Sequence, residues 1–401
     1  MIYADYKLIS EEAEGLIKKS SIFQSPFWAK FNSEFFKRKY WFIEIKNEKN
    51  ELELVSLIIK YNLPFGKSYL YSPCGPVFNL KDYYKKINKE FFEPFLKEVE
   101  KISKSENSVF LRIDPQIDFK SNINPIETRN YLYDFFINKF NFKISEEQKQ
   151  PETTLILDLE KIEEDVLSQM TQKGRYNIKV AQKHNIKITR TNGVSFDEKC
   201  LNEFYKLTEQ TTKRDGFFGN NKNYYQYLLK NIDCAYLYSA WNGDKIIASA
   251  ITTFYGGKAI YYYGASSNED RNLMAPYLLQ WQMIKDAKNE FHCKTYDFLG
   301  VSPEILNINN DVIGVDHNAP TKNFVILEGF NKQEFNTEQE AQQFIEHHKY
   351  NGITNFKTKF GGRRLLYQGA LDKIYSNFWY NIIKFTKNIR KNIRKILKIK
   401  I

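Results

Sequence analysis

Ile260–Gly300, IYYYGASSNEDRNLMAPYLLQWQMIKDAKNEFHCKTYDFLG, constrains the fold more tightly than any other stretch of the chain. Tyr261, Tyr262 and Tyr263 have the aromatic content a strand favours, and Gly264 ends the run. Residues 265–272 form a polar loop. Pro276 stands where a first helical turn tolerates it, and Tyr277, Leu278, Trp281, Ile284, Ala287 and Phe291 then recur at helical spacing. Thr295–Leu299 reads as a returning strand closed by Gly300. Strand, helix and strand make a βαβ unit, and ligands of such units sit where the strands end.

Three strands feed this unit. Ala235–Trp241 is a strand by composition, and Asn242-Gly243 is a strong hairpin signal. Ile246–Tyr255 follows, Gly256-Gly257 makes a second tight turn, and Lys258–Tyr263 is the third strand. The first part of the chain has the same order. Tyr40–Lys46, Leu52–Tyr61 and Ser68–Tyr71 read as strands, the last running into the loop SPCGP at Ser72–Pro76. Tyr83–Ile102 is expected as a helix with Phe91, Phe92, Phe95, Leu96, Val99 and Ile102 on its apolar side, and Val109–Ile113 as a strand ending in Asp114-Pro115. Tyr71 and Tyr263 lie 192 positions apart, Arg112 and Asp297 185. Residue identity across the offset is weak, so what repeats is architecture.

A chain of 401 residues exceeds one typical core, and 42% hydrophobic residues, 16% aromatic, are ample for two. Two α/β domains are expected: 1–150, completed by 365–380, and 151–364, with an insertion around 301–350 that holds one helix, Glu338–Lys349. Further helices are expected at Glu163–Asn185 and Glu198–Arg214, a helix and connector in 122–150, and a last strand at Leu365–Tyr367. Four cysteines without CxxC spacing and five scattered histidines fit a reduced protein better than a disulfide scaffold or zinc site. The N-terminal MIYADYKLISEEAEG has acids and no apolar segment, unlike a signal peptide, and no run of about 18 apolar residues predicts a membrane span.

The net charge of +11 is concentrated at one end. Residues 373–401 hold nine of the 59 basic residues and no acid after Asp372; without those nine the chain is +2. Ile382, Phe385, Ile389, Ile393, Ile396 and Leu397 recur among the bases, so 381–401 is expected as a basic amphipathic helix. It suits peripheral contact with an anionic membrane, a tRNA contact being the competing use.

The meander running into a βαβ unit resembles the order of GNAT-type acyltransferases. Three stretches together resemble the Fem family of peptidoglycan bridge-forming aminoacyltransferases: FQSPFWAKF at Phe23–Phe31, MTQKGRYNIKVAQKHNIKI at Met170–Ile188, and YYYGASS, YDFLG and FKTKFGG across the C-terminal half. The resemblance implies two tandem GNAT-like domains in one bacterial, cytoplasmic chain, peripheral on the inner membrane face. It implies transfer of an amino acid from aminoacyl-tRNA, a co-substrate used without further cofactor, to the stem-peptide amine of a peptidoglycan precursor, lipid II or UDP-MurNAc-pentapeptide. The coiled-coil arm of some members is absent, because too few residues separate Glu198 from Arg214.

The resemblance also implies site residues. Phe356 and Lys357 look like the family's FK motif, whose lysine serves catalysis. A lysine in a basic stretch is ordinarily only solvated. Beside Phe360-Gly361-Gly362, glycines that allow close backbone approach to a ligand, it can stabilise an oxyanion. Asp114 looks like an acidic residue able to accept the proton of an attacking ammonium, with turn formation before Pro115 as the plainer role. Arg214 matches a phosphate-binding arginine, against a simple ion pair with Asp215. Trp28 and Lys30 lie in the N-terminal tryptophan motif, where Asn32 is near the slot of the expected lysine. Tyr71 and Tyr263 end equivalent strands and can line a cleft or pack in a core, and Asp297 reads best as buried and hydrogen-bonded. Lys173, Arg175 and Lys179 form a basic helical stripe suited to tRNA phosphates or merely to solvent. No metal constellation is visible. An acyl-CoA-dependent GNAT enzyme is the alternative, but SSNEDRNLMAP has Arg271 with no following glycine for a pyrophosphate loop. A non-catalytic membrane-surface or RNA-binding protein is the third reading.

Overall fold

The computed structural model describes residues 2–3, 9–79, 87–119, 124–216, 218–307 and 324–399. The first half opens with β1 (Ile2–Tyr3), α1 (Glu11–Ser20) and α2 (Pro26–Phe36), then the antiparallel meander β2 (Tyr40–Lys46), β3 (Leu52–Asn62) and β4 (Ser68–Ser72). β5 (Val77–Phe78) folds back on β3, α3 (Lys89–Ser105) crosses over, and β6 (Ser108–Ile113) returns parallel to β4. Side chains cap each of these helices: Ser10, Ser25 and Asn88 accept from the amides of Ala13, Trp28 and Glu90. α4 (Pro125–Tyr133) runs into a π-helical turn at Asp134–Lys139 and then β7 (Lys143–Ile144).

The second half repeats the plan. β8 (Thr153–Asp158), α5 (Glu163–Ser168), α6 (Gln172–Lys183), β9 (Lys187–Thr191), α7 (Glu198–Asp215) and α8 (Lys222–Asn231) precede the meander β10 (Ala235–Asn242), β11 (Lys245–Tyr255) and β12 (Lys258–Ser266). α9 (Ala275–Asn289) crosses over and β13 (Thr295–Gly300) returns parallel to β12. β14 (Ile305–Asn307), β15 (Phe324–Glu328) and β16 (Asn331–Phe335) make a separate small sheet, followed by α10 (Glu338–Glu346), α11 (Asn351–Lys357), β17 (Arg363–Leu366), β18 (Leu371–Ile374) and α12 (Asn377–Ile399).

Strand order is β1-β2-β3-β4-β6-β18-β7 in the first sheet and β17-β8-β13-β12-β11-β10-β9 in the second. Each has a meander, one parallel pair made by a crossover helix, and antiparallel strands beyond it. These are twin GNAT-like folds, and only the short 216–221 connection separates α7 from α8, leaving no room for a coiled-coil arm. They are not separately cored. Ala13, Ile17 and Phe31 share one buried cluster with Leu201, Phe204 and Leu228. Gly256, at φ +59°, lies so close to the end of α1 that a Cβ would stand 2.0 Å from the Lys18 carbonyl oxygen.

Several expectations are corrected. The crossover helix starts at Lys89, where Asn88 caps it; the expected start at Tyr83 lies outside the described residues. The helix expected over Glu163–Asn185 is two, because Thr171 caps a new start at Gln172. α8 and β9 were not foreseen. The insertion around 301–350 contributes strands as well as a helix, and Leu306, Val325 and Leu327 pack into the first half's core with Phe119 and Phe136; its residues 308–323 are outside the description. The last strand is two strands in different sheets, since β17 pairs with β8 and β18 with β6. The C-terminal helix begins at Asn377 rather than 381.

Candidate active site

β4 and β6 end side by side, which places the SPCGP loop and Asp114 together. Gln24, fully buried, ties that loop down. Its Nε2 donates to Ser72 Oγ at 3.2 Å and the Pro73 carbonyl at 2.6 Å, and its Oε1 accepts from the Leu57 amide at 2.7 Å. Gly75 fits because a Cβ there would stand 2.5 Å from the Gln24 amide nitrogen. The loop offers the Cys74 N–H to Asp114 Oδ1 at 2.5 Å, and the Tyr71 hydroxyl donates to Oδ2 at 2.7 Å. Burial disfavours the carboxylate more than these donors and Arg112 favour it, so the Asp114 pKa is raised to about 7.

β12 and β13 pair only over Lys258–Ile260 and Thr295–Asp297, then part. Leu299 turns left-handed at φ 57°, and β13 slips register against β8 between Asp297 and Gly300. Lys357, 6% exposed, lies between the parted strands: its Nζ donates to the Gly300 carbonyl at 2.7 Å and stands 6.0 Å from the Tyr261 ring centre. Burial lowers its pKa to about 8, outweighing the attraction of Asp297. Asp297 is buried, as expected, and accepts from the Leu299 amide at 2.8 Å; its pKa is raised by burial, against the pull of Lys258 and Lys357. Lys258 donates across the halves to the Ser20 carbonyl at 2.8 Å. Cys74 is within electrostatic reach of Asp114 in the first half and of Lys258 and Asp297 in the second, and buried Tyr367 of both Asp297 and Cys74. The Asp114 end of the first sheet and the Asp297–Lys357 end of the second therefore meet across one seam.

Phe356 packs on Tyr277 and Phe360, at 5.1 and 5.4 Å between ring centres, and so fixes the turn that carries Lys357. The two glycines after Phe360 do allow close approach, but to the chain itself. At φ 81° and 92°, Gly361 and Gly362 would each place a Cβ 2.6 Å from a carbonyl oxygen, of Gln169 and Ile156. Gly174 likewise admits the Lys359 carbonyl, so the QKGRYN helix is pressed against the FKTKF segment.

The other expected residues are spread more widely. Trp28 stacks on Phe31 and meets Tyr262 edge-on, joining α2 to β12, while Lys30 is exposed on α2. The Tyr263 hydroxyl lies 3.0 Å from that of Tyr224 and accepts from Asn220. Arg214 closes its fork on Asp215, at 2.6 and 2.9 Å, and gives its remaining arm to Asn268. Its neighbour Phe217 in the TTKRDGFFG corner lies outside the described residues. Lys173 and Lys179 are exposed on α6, but Arg175 turns back to cap the carbonyls of Ser168 and Met170 at the helix break.

Sequence reasoning missed Gln24, Lys258 and Arg38. Arg38 lies 4.0 Å from the Phe36 ring and 3.9 Å from that of Tyr61, with Nη1 donating to Asn32 Oδ1 at 2.8 Å. Among the described residues it has no carboxylate partner, and its charge reaches Tyr224. Arg38 stands six residues after Asn32, which lies near the slot of the lysine expected in the tryptophan motif. Among the described residues no group of His, Cys, Asp or Glu is arranged to hold a metal ion.

The chain matches the FemAB family over residues 15–234 and 228–317. It is 22% identical over 280 residues to a lipid II:glycine glycyltransferase of Staphylococcus haemolyticus strain JCSC1435, and 23% identical over 282 residues to one of Staphylococcus aureus. Each alignment covers 53% of this chain and 65% of the relative, so less than two thirds of those proteins is matched. Among solved structures, FemX superposes with a TM-score of 0.69 at 18% identity, over 96% of this chain and 99% of FemX. A protein of unknown function from Bacteroides thetaiotaomicron VPI-5482 follows at 0.54 and 11%, over 92% and 99%. Twin folds meeting at one seam, and a family pattern that runs through both, lead to one statement: this chain belongs to the FemAB family.

Proposed function

We propose that the protein is an aminoacyltransferase that moves an amino acid from aminoacyl-tRNA to the stem-peptide amine of a peptidoglycan precursor, building an interpeptide bridge. The observation that carries this reading is the Lys357 ammonium, desolvated between two parted strands and coupled to Asp297. An acceptor ammonium loses its proton to Asp114, whose raised pKa suits that exchange near neutral pH. The free amine attacks the ester carbon, and the carbonyl oxygen takes up negative charge. Lys357 stabilises this oxyanion. As the intermediate collapses, the C–O bond to the tRNA ribose breaks, the amide remains, and the proton lost from the nitrogen passes to the leaving ribose oxygen. Holding both substrates along one seam supplies much of the acceleration.

Arg38 and Arg214 are the phosphate contacts of this reading, and Arg38 is the stronger, having no carboxylate to displace. Trp28, Lys30, Tyr71 and Tyr263 line the acceptor side. Lys173, Arg175 and Lys179 face tRNA, with Arg175 the weakest because its guanidinium already caps a helix break. The units of this reading are 1–150, completed within 365–380 by β18, and 151–364, with Leu365 and Leu366 ending the second sheet's β17. Lipid II is the favoured acceptor over the nucleotide-linked precursor, because relatives are named for it and the basic C-terminal helix suits work at the inner membrane face. The test is incubation with charged tRNAs and lipid II, against acetyl-CoA with the same amines. Amide formation only from charged tRNA is expected, and transfer only from acetyl-CoA overturns the proposal.

A further inference from the structure

α12 presents two different faces on opposite sides. Trp379, Tyr380 and Ile383 pack on Tyr69, Tyr71 and Phe110 of the first sheet. The Tyr380 hydroxyl donates to Asp372 at 2.8 Å, and Lys384 and Lys387 pair with Glu146 and Glu147 at 2.6 and 2.7 Å. At about 100° per residue, Phe378, Ile382, Phe385 and Ile389 fall on one line opposite that packed side. Phe378, Phe385 and Ile389 face away from the protein, the two phenylalanines 68% and 67% exposed, with Ile382 half-buried between them. A second element extends the stripe. Phe65, at the tip of the β3–β4 turn with φ 60°, is 74% exposed, and its ring centre lies 5.8 Å from that of Trp379, over which Lys67 places its ammonium at 5.0 Å.

We infer that this composite face, the outer stripe of α12 together with the Phe65 turn, docks on an anionic lipid bilayer. The inference deepens the proposed function and rests on its membrane-borne acceptor. Large apolar side chains aimed at solvent are what the headgroup–acyl boundary takes up. Among the described residues no helix is long and apolar enough to cross a membrane, so α12 lies along the surface. The sequence beyond Ile389 adds Arg390, Lys391, Arg394, Lys395, Lys398 and Lys400 without an acid, the charge an anionic leaflet attracts. A second copy of the chain would set these bases against their own kind. RNA would accept the bases and leave three phenylalanines in water. Because its inner face is already pinned by Tyr380, Lys384 and Lys387, the helix meets the bilayer preformed.

Flotation of the full chain with vesicles tests this. Vesicles of phosphatidylglycerol in phosphatidylcholine should carry the protein up, and pure phosphatidylcholine vesicles should not. F378S/F385S should weaken binding at least tenfold and F65S at least threefold, with melting temperatures unchanged because these side chains are exposed. Absence of binding to the anionic vesicles overturns the inference. So does binding that the phenylalanine changes leave intact, which is the result for a charge-only RNA face. Insensitivity to F65S alone removes the turn and overturns the composite surface. The measurement uses no substrate, so its failure leaves the transferase reading standing. Vesicle binding without transfer from any donor would refute that reading alone.

Discussion

The Tyr71 hydroxyl donates to Asp114 Oδ2 at 2.7 Å, from the neighbouring parallel strand. This bond favours the charged carboxylate and works against burial. Transfer should therefore rise with pH through about 7 and fall again above about 8, where Lys357 loses the charge that stabilises the oxyanion. Tyr71→Phe should move the rise to higher pH, and Asp114→Asn should lower kcat by about 10²–10⁴-fold. Stability gives an independent check. With its pKa raised from the ordinary carboxylate value of about 4 to about 7, the folded protein holds a proton that the unfolded chain has released. Stability then falls as pH climbs through that window, by up to about 4 kcal/mol, and Asp114→Asn should flatten the fall. Urea melts at pH 5 and pH 8 measure it.

Lys357 carries the opposite sign. Its pKa, lowered to about 8, means that the folded state sheds a proton the unfolded lysine keeps until about 10.4. Stability should rise between those values. Lys357→Met should abolish the buried charge and melt higher than the parent at pH 7, with the gap narrowing toward pH 10. It should also cost about 10²–10³-fold in transfer, the loss typical of one oxyanion donor. A variant that melts lower and transfers normally would make Lys357 a structural residue.

The meanders and both βαβ units were legible because local chemistry dictates them: Gly256-Gly257 turns where the sequence says, and α9 follows its apolar spacing. The Asn242-Gly243 signal marks a hairpin whose central pair is Gly243-Asp244, one residue on, with Asn242 paired to Lys245. Lys357 and Asp114 were legible as candidates because the family resemblance and the strand ends point to them. What failed depends on distant partners. The break between α5 and α6 has no glycine or proline at 169–171 to mark it; it forms where Gly361 and Lys359 press against Gln169 and Thr171. Asn221 caps α8, but its aromatic run NYYQYLL reads equally as strand. Nothing local distinguishes β17 from β18, which join different sheets. For Arg214 the sequence offered two roles, a phosphate ligand and an ion pair with Asp215; its fork lies on Asp215, and the phosphate role belongs to the proposal.

Gln24 joins three backbones at once, α2's approach, β3 and the SPCGP loop. Gln24→Ala would leave the buried Leu57 amide and Pro73 carbonyl without this partner, at a cost of about 2–4 kcal/mol. The effect should also be functional. A loosened loop withdraws the Cys74 N–H from Asp114, so the pH at which transfer rises should move upward, as in Tyr71→Phe. Denaturant melts give the first quantity and a pH–rate profile the second; a stability loss with an unmoved profile would confine Gln24 to packing.

Arg112 and Asp372 face each other across β6 and β18, paired through Nε and Nη2 at 2.7 and 2.9 Å, with Glu147 on Nη1. The pair closes the route by which the chain leaves the second sheet and re-enters the first. Asp372→Ala should cost up to about 3–5 kcal/mol, because it leaves two arms of a buried guanidinium unpaired with only Glu147 on the third. Replacing both partners, Arg112→Leu with Asp372→Leu, should recover most of that loss, since neither charge is then left alone. Asp372 also receives the Tyr380 hydroxyl, so Asp372→Ala should release the first turns of α12 from the sheet. Faster amide hydrogen exchange at Tyr380 and Ile383, beyond that of an equally destabilised variant elsewhere, is the expected signature. Uniform exchange would mean that Trp379 and Ile383 alone hold the helix, and that the polar pair only aligns β18.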